Sequence, residues 1–170
     1  VVGAEQELPF QADLALLKHL ECPVFYWDRL QAAPAKEQDM KTWSDLKDEA
    51  PDLAQTGRRL LLPSRPHVGY AFLATLRKDG APRLHPISVV LYEDHTYVII
   101  PRTSPKCNAL LRDGRYALQA FPPVPNDEGE EFYISGRAER IDEPGFRQAL
   151  IDGTQLTVED NEVLFELLLE

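Results

Sequence analysis

The segment Arg102-Thr103-Ser104-Pro105-Lys106 holds the residue types best suited to bind an anion. Ser104 is a helix-capping residue, Pro105 fits the first helical position, and Gly114 lies past the leucines at 110 and 111, so a helix is predicted from Ser104 to Arg112. The first amides of a helix carry partial positive charge and ordinarily attract acidic side chains. Here Lys106 stands inside the first turn and Arg102 just before the cap, which costs about 0.3–1 kcal/mol per cation unless an anion compensates. Helix start, hydroxyl and cation together resemble a phosphate cradle. The plainer reading is an ordinary Ser-Pro helix start with Lys106 turned to solvent. Arg83 is the second candidate. The two-residue period of a strand puts it on one face with His85, Ile87 and Val89. There it is either a charge on a buried face or an ordinary residue at the strand's exposed start.

Other chemistries lack their residues. No GxxxxGK, GxGxxG, HExxH or GxSxG occurs in the sequence, which leaves P-loop, dinucleotide-fingerprint, zinc-protease and serine-hydrolase readings unsupported. His19, His67, His85 and His95 are scattered without metal-ligand spacing, so no metal is assigned. Cys22 and Cys107 form neither a disulfide framework nor a zinc motif. Cys107, beside Lys106, is read as a small packing residue. With 18 Lys and Arg against 28 Asp and Glu the formal charge is -10, which repels nucleic acid and anionic lipid. An anionic ligand then needs a local basic pocket. The absence of a long apolar run or a leader-like start leads to the expectation of a soluble, cytoplasmic protein.

The elements that must position these residues follow from pattern and turn chemistry. Thr42 to Leu62 is predicted helical in two pieces, capped by Thr42 and restarted at Pro51, with Leu46, Leu53, Leu60 and Leu61 as an apolar stripe. From Gly69 the period becomes that of strands. Gly69–Leu76, Pro82–Tyr92 and Thr96–Ile100 form a meander through turns at Asp79-Gly80, expected as a tight hairpin with positive backbone angles, and at Glu93-Asp94. Arg115–Phe121 and Glu131–Ile141 are further strands, separated by a proline-rich loop at 122–127. A short helix runs from Pro144 to Ile151. Val163–Glu170 suits a buried helix and a buried strand equally. Residues 1–39, with a helix-like stretch from Asp13 to Leu20 and the cluster Phe25-Tyr26-Trp27, form an N-terminal extension to a domain spanning 40–170. Five strands and a possible sixth, joined by short turns and interrupted by helices, indicate an α+β fold with a small barrel.

The stretch from Gly69 to Pro144 resembles the pyridoxamine 5'-phosphate oxidase-like FMN-binding split-barrel family. "FLATLRKDGAPRLHPISVV", "SPKCNALLRDGRYAL" and "FYISGRAERID" follow its motifs in order, and "MKTWSDLKDEAPDLA" is like a helical lead-in found in one branch. The resemblance implies a six-stranded antiparallel Greek-key split β-barrel with short flanking helices. It implies an FMN-dependent oxidoreductase that dimerises with itself and holds the flavin in the crevice between subunits. Arg83 and Lys106 would contact the cofactor phosphate, Ser104 would help as cap and hydrogen-bond donor, and the backbone around His85, Pro86 and Ile87 would meet the polar edge of the ring. The chain lacks the Arg-x-His substrate motif of true pyridoxamine phosphate oxidases near its end, so vitamin B6 oxidation is not expected and the substrate is left open. Deazaflavin F420 on the same barrel, and a flavin-binding protein without turnover, are the alternatives.

Overall fold

Residues 40–121 and 130–170 are described by the computed structural model. The 1–39 extension, with its helix-like stretch, aromatic cluster, His19 and Cys22, lies outside the described residues, as does the loop at 122–127.

The chain enters through two helices. Helix α1, Trp43–Glu49, starts at a capping box in which Thr42 and Asp45 satisfy each other's amides. Helix α2, Pro51–Leu61, begins with proline in its first turn. Leu60 and Leu61 are buried as expected, but Leu53 is half exposed. The face that seals the barrel is instead Trp43, Ala54 and Gly57. Trp43 meets Phe132 edge-on at 5.9 Å. A Cβ on Gly57 would lie 2.3 Å from the Phe132 ring, so this glycine gives the aromatic its room.

Six strands follow: β1 Val68–Leu76, β2 Pro82–Tyr92, β3 His95–Pro101, β4 Arg115–Ala120, β5 Tyr133–Ile141 and β6 Glu162–Leu169. Helix α3, Pro105–Arg112, joins β3 to β4, and helix α4, Pro144–Thr154, joins β5 to β6. All pairings are antiparallel, and the barrel closes in the order β1-β2-β3-β6-β5-β4. It is the α+β split barrel expected. The segment left open between helix and strand is β6. Its odd positions, Val163, Phe165, Leu167 and Leu169, join the main core, whereas Leu164 packs outward with Val90, Tyr97 and Leu150 in a second cluster under α4. Apolar neighbours on both faces remove the alternation that marks an ordinary strand.

Turn chemistry differs from expectation at the first hairpin. Gly80 donates to Arg77 O at 3.0 Å and Arg77 donates to Ala81 O at 2.9 Å. Gly80 has φ 82° while Asp79 does not share the positive region. This is a three-residue arrangement, a turn followed by a left-handed glycine. The two-residue turn with both central residues left-handed comes one hairpin later, at Glu93 (φ 48°) and Asp94 (φ 59°). Among the described residues no helix is long and apolar enough to cross a membrane.

Candidate functional site

The ladders place the opening. Strand β2 pairs with β1 from Pro82 to Val90, but with β3 only from Val89 to Tyr92. The outer half of β3, through Pro101, is instead engaged with β6. The stretch Pro82–Ser88 therefore has a strand on one side only, and α3 follows directly where β3 turns away.

Backbone phase decides which groups this free edge offers. Leu91 donates to His67 O at 2.9 Å, at the continuation of the β1–β2 register. Odd-numbered residues of β2 thus exchange hydrogen bonds with β1, and even-numbered ones face the other way. Pro86 agrees, since its carbonyl accepts from Lys106 Nζ at 3.2 Å. Two of the even positions, 82 and 86, are prolines and carry no N–H. The edge therefore presents the carbonyls of Pro82, Leu84 and Pro86 and the amides of Leu84 and Ser88. Within the stretch His85-Pro86-Ile87 it is therefore the Pro86 carbonyl that faces the gap, while the backbone groups of His85 and Ile87 are turned to β1 and their side chains to the inner face.

Those side chains, with Arg83, line the inner face. Burial deepens along it, from half-buried Arg83 and His85 to buried Ile87 and Val89, so Arg83 stands at the mouth of the barrel, on the core face. It also borders a cleft of about 610 Å³ between the first hairpin and α3. His85 Nε2 is enclosed and, among the described residues, has no hydrogen-bond partner. Burial foremost, then Lys106 and Arg83, hold its pKa below the ordinary 6.5, so the ring is neutral at pH 7 and two cations converge on it. Lys106 is half buried, and burial lowers its pKa too.

Helix α3 has no acidic residue in its first turn. Ser104 occupies the N-cap position, but its hydroxyl makes no capping hydrogen bond. The expected side-chain cap is absent, and the hydroxyl remains at the helix start beside Lys106. Cys107 is fully buried and its thiol is pushed up by that burial, in keeping with a packing role. His67 Nδ1 lies 3.1 Å from Leu91 O and His95 Nδ1 lies 2.5 Å from Glu166 Oε1. Both are tied up structurally, and among the described residues no cluster suited to a metal exists. The structure thus brings Arg83, His85, Pro86, Ser104 and Lys106 around one opening. Sequence reasoning missed Leu84 as a backbone donor; the spacing of Pro82 and Pro86 was the signal that could have found it.

The chain matches no family model and no curated protein. Solved structures do resemble it. A putative pyridoxamine 5'-phosphate oxidase from Listeria innocua aligns with TM-score 0.52 and 14% identity over 65% of this chain and 88% of that one. A protein of unknown function from Agrobacterium tumefaciens gives TM-score 0.52 and 18% identity over 66% of this chain and 51% of its own. A heme binding protein from Mycobacterium smegmatis gives 0.49 and 16%, over 66% and 50%. The chain thus spans about half the length of the last two. Six antiparallel strands closed in the order β1-β2-β3-β6-β5-β4, the one-sided stretch of β2, and the two likenesses at TM-score 0.52 together give the chain the fold of the pyridoxamine 5'-phosphate oxidase-like split barrels.

Proposed function

We propose that this chain is a homodimeric flavin-dependent oxidoreductase that binds a flavin carrying a phosphate, FMN first. The observation that carries this reading is the convergence of Lys106, Arg83 and the uncapped Ser104 hydroxyl beside a one-sided strand edge, with His85 Nε2 enclosed and unpartnered. An enclosed polar atom without a partner is costly, and cations at a helix start lacking acidic residues are unfavourable without an anion. A ligand with an anionic end and a flat polar edge answers both, so the residues present fit the group. Arg83 and Lys106 would hold the phosphate, with Ser104 donating to it. The Leu84 amide and the edge carbonyls would face the ring's polar rim, and neutral His85 would complete a hydrogen bond. Bound flavin supplies hydride transfer; the protein supplies orientation and electrostatics.

The dimer is supported by surface composition. Tyr70 and Leu84 are 61% and 62% exposed, and Phe72 packs on Phe121 with centroids 4.3 Å apart. Tyr70, Phe72, Leu84 and Pro86 are cross-strand neighbours on the outer face of β1 and β2, an apolar patch of the sort that subunits cover.

The test is the visible absorption spectrum of the purified protein, with mass identification of whatever denaturation releases, and light scattering for the assembly. A flavin spectrum, a released FMN mass and a dimer are expected. A colourless protein that takes up no flavin on titration would refute the reading. Flavin bound without turnover of reduced nicotinamide or an electron acceptor would make it a binding protein instead.

A further inference from the structure

Between Asp52 and Asp79 the chain has no carboxylate, although Asp and Glu number 28 in its 170 residues. The same stretch holds Arg58, Arg59 and Arg65. The fold gathers all three around one hollow of about 440 Å³, between the second half of α2 and the segment 62–66 that leads into β1. Helix α2 turns its 55, 58, 59 and 62 positions to it, one face by helical spacing. Gln55 and half-buried Thr56 add an amide and a hydroxyl, and Leu62 and Pro66 supply apolar wall.

The helix dipole accounts for part of this composition. Arg58 and Arg59 stand in the last turn of α2, where cations are favoured. Arg65 lies beyond the C-cap Leu62, so the dipole gives no reason for a third cation there. Arg59 pairs with Glu130 at 2.7 Å. Arg58 donates to Pro66 O at 2.9 Å, which ties the segment back to the helix and leaves most of its donors open. Among the described residues neither Arg58 nor Arg65 has an ion-pair partner. Two unanswered guanidiniums match a phosphate monoester, whose charge at neutral pH is about -1.5 to -2, better than a carboxylate, which answers only one. The volume also exceeds what a bare phosphate fills and leaves room for an organic group. The hollow borders the start of β1, whereas Arg83 lies opposite Thr75 near the far end of that strand, roughly 23 Å along it at the usual rise per residue.

We infer that this hollow is a separate ligand site, for the phosphate monoester of a small organic molecule. Arg58 and Arg65 take the phosphate oxygens, Thr56 donates to the same group, and the organic part lies against Leu62 and Pro66. The site stands apart from the flavin reading, since its lining shares no residue with the opening between β2 and α3.

Calorimetric titration of the full chain with AMP against adenosine, and with ribose 5-phosphate against ribose, tests this. At least one ester is expected to bind about tenfold or more tighter than its unphosphorylated parent, the amount of one charge-assisted contact. The margin should shrink with added salt. Arg65→Glu, a reversal on an exposed loop, should abolish it. Arg58→Gln, which keeps a donor for the Pro66 carbonyl, should reduce it, and Lys106→Ala should leave it within about twofold. Circular dichroism checks the fold of each variant. Esters bound no tighter than their parents would overturn the inference, any uptake of inorganic phosphate then being that of an adventitious ion only. A margin untouched by Arg65→Glu would overturn it too, as would one abolished by Lys106→Ala, which would put the phosphate at α3 instead.

Discussion

Replacing Lys106 with alanine separates what the lysine does for the fold from what it does for a ligand. Without ligand its Nζ donates to Pro86 O at 3.2 Å from a half-buried position. Losing such a bond costs about 0.5–1.5 kcal/mol. Removing a cation from the first turn of α3 returns about 0.3–1 kcal/mol through the helix dipole. The two nearly cancel, so the urea midpoint should move by little, within about 1 kcal/mol in unfolding free energy. Binding should behave differently. A charge-assisted contact to phosphate contributes about 1.5–3 kcal/mol, so FMN affinity should fall roughly 10- to 150-fold. Riboflavin, lacking the phosphate, should be held almost as before. Arg83→Ala should repeat the pattern, and the double variant should lose less than the sum, because both cations answer one charge. Isothermal titration of both flavins against the wild type and three variants gives the full cycle. Equal losses for FMN and riboflavin, or none for either, would show that the phosphate does not lie at this helix.

Two further outcomes follow from the same geometry and its surroundings. Because His85 has its pKa depressed below 6.5 by burial, Lys106 and Arg83, the unfolded chain takes up that proton first; stability is intact above about pH 6.5 and is lost as pH falls toward the folded pKa. Urea unfolding at about pH 7.5 and about pH 5.5 should show the loss, His85→Gln should reduce it, and a His85 resonance that titrates at the ordinary value would contradict the enclosed, cation-flanked ring. Gly69→Ala should leave the chain largely unfolded by circular dichroism, a destabilisation above about 4 kcal/mol, because the new Cβ would lie 1.6 Å from the Leu61 carbonyl oxygen; a cooperative melt near wild type would refute that close approach.

Local signals were enough for the elements that depend on local chemistry. Pro105 and Gly114 bound α3, whose helical span Pro105–Arg112 agrees with the expected end. Strand β2 runs from Pro82 to Tyr92 as read, because turns bracket it on both sides. What escaped depends on contacts distant in sequence. Leu53 belongs to an apolar stripe by spacing yet lies half exposed, since the part of the barrel next to the entering helices is covered by Trp43 and Phe132, 89 positions apart. The double-sided burial of β6 depends on α4 packing over it. At the site, Arg83 and Lys106 were legible as charges in odd places, but which backbone groups face the gap depends on where β3 leaves β2. The cleft that Arg83 borders brings together a hairpin turn, a strand and one face of α3 from Pro105 to Arg112, and no short window of sequence contains all three.

The two prolines on the open edge of β2 bear on solubility as well as on recognition. A one-sided strand is a template on which a foreign strand can extend the sheet, and chains with such edges tend to polymerise. Extension needs alternating donors and acceptors, and Pro82 and Pro86 remove donors at two positions facing the gap. A neighbouring strand would find an interrupted ladder there, whereas a small molecule needs only the few groups left. Restoring an N–H by Pro86→Ala would therefore convert a selective opening into a sticky one, and the change should appear as concentration-dependent fibrillar aggregation in thioflavin fluorescence before any loss of native circular dichroism.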